Sequence, residues 1–225
     1  MPNYVKNVLE VTGDKRVLEF YDFVQNEKGK FDFNKIIPMP KSLDMTSGSQ
    51  EDRAVSYYCQ KNNIPIPTAI HSYGMNSIEE IESMLNSEKL EELIKDGAQY
   101  MDNYSKYGHT SWYGWCCEKW GTKWNACDSI AEKIKRTDNG KYLSVWTFDT
   151  AWDAPEPIFK ELVKKFPDLE FKMVSANEDV SCPVSVMTGK NGFTEMDFIG
   201  GPEGEEIAED LWGVELDEDA SESEN

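Results

Sequence analysis

The residue types able to do chemistry gather between Tyr107 and Trp152. His109, Cys116, Cys117 and Cys127 are zinc ligands by type, but their spacing matches no structural zinc motif, and adjacent cysteines rarely both reach one tetrahedral ion. His109 with Cys116 or Cys117 would make a nucleophilic pair only if the fold brought them together and lowered the thiol pKa. Asp149 and Asp153 flank the Thr150-Ala151-Trp152 turn. Paired carboxylates can move protons or hold a cation, although Asp153 is equally placed to cap a helix and Asp149 to accept turn bonds. The chain lacks GxxxxGK[ST], GxGxxG after a strand, HExxH and GxSxG. No catalytic residue, metal ligand or cofactor is therefore assigned.

Six of the seven tryptophans lie in the same stretch. Trp112, Trp115, Trp120 and Trp124, with Lys119 and Lys123 between them, form the candidate binding set. Indoles could stack a base or ligand, and the ammonium groups could sit over the rings. The competing reading is core. Each aromatic can bury about 150–250 Å², so exposing four would give up a gain comparable with a domain's net stability.

The elements that must position these residues follow from local pattern. Tyr4–Thr12 reads as a strand and Lys15–Gln25 as a helix capped by Asp14. Phe31–Ile37 reads as a second strand, ended by Pro38 and Pro40. Helical spacing then dominates from Ser47 to Arg136, with a capping box at Ser77 and Glu80. Tyr142–Thr150 is a strand with Trp146 and Phe148 on one face. A capping box at Asp153 and Glu156 opens a helix to Phe166, and Leu169–Ser175 is a strand. A hairpin turns at Asn191-Gly192, and Glu205–Trp212 suits an amphipathic helix. Strand–helix–strand twice over predicts an α+β fold: a ferredoxin-like split βαβ antiparallel sheet with two helices on one face. The expected organisation is one domain over 1–213, a helical insertion over 47–136 and a disordered acidic tail over 214–225.

Charge bounds the partners. The chain of 225 residues carries −19, of which Glu203–Asn225 supplies 11 acidic residues and no Lys or Arg, leaving −8 on the rest. Such a chain repels nucleic-acid phosphates and favours a partner with a basic surface. Glu215, Asp217, Glu218 and Asp219 are the candidate acidic interaction surface. The five cysteines are odd in number and form no C-x-x-C, as in reduced cytosolic proteins. With no apolar signal segment or membrane-length run, the expectation is a cytoplasmic protein that does not enter membranes.

Three blocks then carry a family resemblance: Phe31–Leu43 (FDFNKIIPMPKSL), Tyr107–Asp128 (YGHTSWYGWCCEKWGTKWNACD) and Phe148–Phe171 (FDTAWDAPEPIFKELVKKFPDLEF). The chain resembles the YubB ferredoxin-like family of phage- and plasmid-encoded proteins. That resemblance implies a ferredoxin-like fold and a mobile-element origin, and it brings no established activity and no catalytic residues. The leading expectation is a non-enzymatic binder or inhibitor of a host protein, such as a defence nuclease. The alternatives are an RNA- or ssDNA-binding module, which needs Trp146 and Phe148 on an open sheet face, and an enzyme with a Cys–His or carboxylate site.

Overall fold

The computed structural model describes residues 3–67, 77–180 and 183–213. In chain order the elements are β1 (Tyr4–Gly13), α1 (Arg16–Phe23), α2 (Phe33–Ile36), α3 (Ser49–Asn62), α4 (Ile78–Met84), α5 (Ser87–Tyr107) and α6 (Trp112–Lys119). There follow β2 (Cys127–Ala131), β3 (Lys135–Arg136), β4 (Tyr142–Ala151), α7 (Glu156–Lys165), β5 (Glu170–Asn177), β6 (Val184–Lys190), β7 (Phe193–Ile199) and α8 (Gly201–Trp212). Chain contacts divide these into two compact units. One takes the described residues of Met1–Pro38 and Cys117–Asn225; the other is Met39–Cys116.

The first unit holds the sheet, ordered β2-β4-β1-β5-β6-β7, with β3 also on β4. All named pairings are antiparallel. Alternation fixes the faces, because successive strand residues point to opposite sides. Leu9, Val11, Trp146, Phe148, Phe171 and Met173 are buried on one face, and α1 and α7 cover it. Phe20 of α1 packs edge-on against Phe166 and Phe171, each at 5.7 Å, and Phe31 stacks on Phe148 at 4.7 Å. On the opposite face α8 lays Ile207, Ala208, Leu211 and Trp212 against Ala176, Val184, Val174 and Val186.

The mixed helix and antiparallel sheet agree with the expected class, but the second strand does not lie where it was expected. Phe31–Ile37 makes one bridge, Gln25 with Phe31, and then the α2 turn. Side chains take the backbone groups a ladder would have used. Asp32 caps α2 by accepting from Asn34 N at 2.9 Å, Ser129 Oγ accepts from Phe31 N at 2.9 Å, and Asn125 Oδ1 accepts from Phe33 N at 2.8 Å. On the side of β4 away from β1, the longer strand is instead Cys127–Ala131, inside the span predicted to be helical. The Asp153–Glu156 capping box is also absent. Asp153 Oδ1 accepts from its neighbour Ala154 N at 2.8 Å, and Pro155 occupies the cap position of α7 without a side-chain bond.

The second unit, Met39–Cys116, is helical; the expected insertion spans 47–136. Its core joins Ala54, Val55, Tyr57 and Cys59 of α3 to Ile81 of α4 and Leu93 and Tyr100 of α5. Gly97 permits the contact of α3 with α5: a Cβ there would lie 2.4 Å from the Ala54 carbonyl oxygen. The Ser77–Glu80 capping box forms as predicted. Among the described residues, no helix is long and apolar enough to cross a membrane.

Candidate functional site

The tryptophan set divides between the two units. Trp112 begins α6 half-buried, edge-on to Tyr113 at 5.8 Å, and Trp115 is buried. In the sheet unit Trp120 is buried; its indole N–H donates to Ile37 O at 2.9 Å and its ring meets Phe33 edge-on. Trp115 and Trp120 are thus closed to a ligand as the protein stands. Lys119 is exposed and pairs with Glu118.

Lys123 and Trp124 are placed differently. Thr122 anchors their segment by donating to Ala151 O at 2.8 Å and accepting from Ala151 N at 3.1 Å. Lys123 Nζ then stands 4.7 Å from the Trp124 ring centroid and 4.8 Å from that of Trp152. Trp152 holds φ 75°, a left-handed conformation that costs a bulky residue energy. Its backbone N–H donates to Asn3 O at 2.9 Å. The backbone at a half-exposed indole is thereby anchored, with a cation near both that ring and the Trp124 ring.

Of the predicted chemical pairs, Asp149 and Asp153 are placed apart. His109 lines a cavity of about 260 Å³ in the helical unit with Glu51, Asp52 and Tyr104, and no cysteine is in that lining. Glu51 there is 8% exposed and accepts from Thr110 Oγ1, from Ser111 Oγ at 3.2 Å and from Gly48 N at 3.2 Å. Burial pushes up the thiols of Cys59, Cys117 and Cys127; Lys123 pulls Cys117 only partly back, and Asp128 and Asp149 add to the rise at Cys127. A nucleophilic cysteine needs the opposite shift. Cys116 is buried with its Sγ 3.7 Å from Met39 Sδ. Asp149 pairs with Lys6 at 3.0 Å on the α8 side of the sheet, whereas Asp153 lines a groove on the α1–α7 side. The two carboxylates do not share a site. Cys182 and the tail residues Glu215, Asp217, Glu218 and Asp219 lie outside the described residues. Among the described residues, no group of three His, Cys, Asp or Glu is placed to hold a metal ion.

The arrangement an RNA-binding sheet would need is also missing. Trp146 and Phe148 are 0% and 1% exposed, beneath the helices, and not on an open face.

The sheet unit does assemble a groove of about 620 Å³, which no single sequence block announced. Its walls come from the start of α7 (Glu156, Pro157), the segment Cys117, Glu118 and Gly121, and the turn residues Asp153 and Ala154. Its floor is Ser175, Asn177 and Ser185, closed at the outer side by Met196 and Phe198 of β7. Gly121 lets the segment approach α7: it has φ 79°, and a Cβ would fall 2.6 Å from Pro157 Cδ. The lining includes three carboxylates, from Glu118, Asp153 and Glu156, and no Lys or Arg. Glu156 pairs with Lys160, an exposed i,i+4 pair of little worth. Phe198 is 68% exposed at the mouth and Phe193, on the other face of β7, is 79% exposed. The sequence signal for this site is the alternation of β7, which puts Met196 and Phe198 on the groove face and Glu195 and Asp197 on the other.

Residues 119–224, just under half of the chain, match the family model described as "Ferredoxin-like domain in Api92-like protein". The match supports the ferredoxin-like expectation. A solved structure, a protein api92 from Yersinia pseudotuberculosis, is similar at 11% identity and a TM-score of 0.44, covering 89% of this chain and 99% of that one. The comparison with curated proteins gave no match.

Proposed function

We propose that the protein is a non-catalytic binding protein that takes a basic segment of a partner protein in the groove of the sheet unit. One observation carries this reading: a groove of about 620 Å³ with three carboxylates and no Lys or Arg in its lining, opening beside an exposed phenylalanine. Acidic lining favours basic segments by complementarity, and an exposed aromatic at the rim supplies contact area at low entropy cost. The ordered pair Lys123 and Trp152, with Trp124, is the second contact surface. In the wider reading the partner is a host protein in the cytoplasm, met by a protein of mobile-element origin. The residues Glu215, Asp217, Glu218 and Asp219 add long-range attraction that speeds encounter.

The test uses an acetylated and amidated octapeptide of two Lys-Lys-Val-Val repeats, titrated into the full chain. A Glu118→Gln, Asp153→Asn, Glu156→Gln triple variant is the comparison. At about 0.5 kcal/mol per exposed charge, the variant is expected to bind about tenfold more weakly. Equal affinity for wild type and variant would overturn the groove as the binding site.

A further inference from the structure

The groove's outer wall is also the end of the sheet. β7 closes the strand order and, among the described residues, is paired by β6 alone. Among the described residues nothing pairs with its outer side, so alternate N–H and C=O groups along that side lack strand partners. We propose that the partner's basic segment is held as an added strand on β7. This rests on the reading that the partner segment is basic.

Three features select this edge and this occupant. The first is regularity. β7 keeps seven consecutive register pairs with β6, from Lys190 with Phe193 to Val184 with Ile199. The opposite edge strand β2 shifts register between Cys127 and Ile130, which spoils it as a template. At about 3.3 Å per residue, β7 offers roughly 23 Å of straight edge.

The second is charge. Edges are commonly protected by Lys, Pro or a bulge, and β7 has none of these. Its charges are Glu195 and Asp197, on the face opposite Met196 and Phe198 of the groove. Two copies meeting antiparallel about Met196 would set Glu195 of each against Asp197 of the other, which repels. A basic strand meets the same residues as attraction. The edge is therefore closed to itself and open to an opposite charge.

The third is the aromatic pair. Phe193 and Phe198 lie on opposite faces of β7, and both are largely exposed. An added strand about 4.8 Å outward brings side chains alongside both rings. On the helix-covered face it runs beside Met196 and Phe198, at the mouth of the acidic groove. Backbone bonds then supply affinity, and the groove supplies selection for charge.

The decisive measurement is amide hydrogen exchange in the full chain, with and without the same Lys-Lys-Val-Val octapeptide, which places lysines on both faces of an added strand. Alternate amides in Phe193–Ile199 are expected to slow at least tenfold on binding. The same peptide with every backbone nitrogen methylated keeps its charge and side chains, and is expected to lose binding at least tenfold. Replacing Glu195→Lys and Asp197→Lys is expected to weaken binding to a similar degree while leaving the fold intact by circular dichroism. Binding without protection in β7, or equal binding of the methylated peptide, overturns strand addition. Dimerisation of the full chain through β7 would assign the edge to a second copy and also overturn it. Protection in β7 with no effect of the groove variant overturns the groove reading alone. A groove effect without protection in β7 overturns this one alone.

Discussion

Lys6 stands over the indole of Trp212, its ammonium 4.4 Å from the ring centroid. The same ammonium bonds Asp149 at 3.0 Å, and the Trp212 N–H donates to Ala176 O at 3.1 Å. One lysine on β1 therefore couples β4 to α8, on the face opposite the groove. Lys6→Met is expected to destabilise by about 1–3 kcal/mol, because it leaves a largely buried carboxylate without its ammonium partner. Urea unfolding reads the loss. A cycle with Asp149→Asn should give a double variant less destabilised than the two single losses summed. Strict additivity would mean that the pair contributes nothing.

Asn7 is fully buried in the middle of the sheet. Its amide donates to Phe148 O at 3.2 Å and Thr150 Oγ1 at 2.9 Å, and its carbonyl accepts from Ser175 Oγ at 2.8 Å. Asn7→Ala strands buried polar groups on both neighbouring strands, and each such group costs about 1–3 kcal/mol. A loss of roughly 2–4 kcal/mol is expected in chemical denaturation. A loss below about 1 kcal/mol would show that the network is replaceable by packing.

Gly97 sits inside α5, where helix propensity alone says alanine should stabilise by about 1 kcal/mol. The Ala54 carbonyl oxygen and Tyr58 Cβ, each 2.4 Å from the would-be methyl, reverse the sign. Gly97→Ala is expected to destabilise by about 1–3 kcal/mol through forced separation of α3 and α5. A raised melting temperature would refute the close approach.

Tyr100 is buried and donates to Thr46 O at 2.6 Å. Burial, with the charges of Glu51 and Asp96 adding to it, pushes its phenol up to about 12. The unfolded phenol titrates near 10. Between those values the folded state holds the proton and the unfolded state does not. Stability is therefore complete below about pH 10 and is lost as pH rises toward 12, by roughly 2–3 kcal/mol. Tyr100→Phe should flatten that part of the alkaline stability curve. It should cost about 1 kcal/mol at neutral pH, for the hydrogen bond. An unchanged alkaline slope would place the sensitivity elsewhere.

Much of the fold was legible because its signals are local. Alternation located β1, β4, β5 and the hairpin. Asn191 and Gly192 mark the turn because both must take positive φ, which they do at 54° and 79°. Ser77 and Glu80 cap α4 through bonds that span three residues. The failures were cases where a local pattern had a distant competitor. Phe31–Ile37 alternates like a strand, but Asn125 and Ser129, nearly a hundred residues on, take its backbone N–H groups first. Asp153 and Glu156 have capping-box spacing, but Pro155 lies between them and Asp153 turns to its own neighbour.

For the candidate site, sequence alone determined the residue types: a tryptophan-rich stretch with lysines, an acidic balance, and no catalytic signature. Composition and short-range spacing are enough for that. Only the tertiary structure decided which of those residues a partner can reach. Trp115 and Trp120 are interior, whereas Lys123 is clasped between Trp124 and Trp152. The groove could not be read in advance, because Glu118, Asp153, Ser175 and Phe198 come from four separate segments. Their proximity is set by strand order and register, which are properties of long-range pairing and which no local window of the sequence contains.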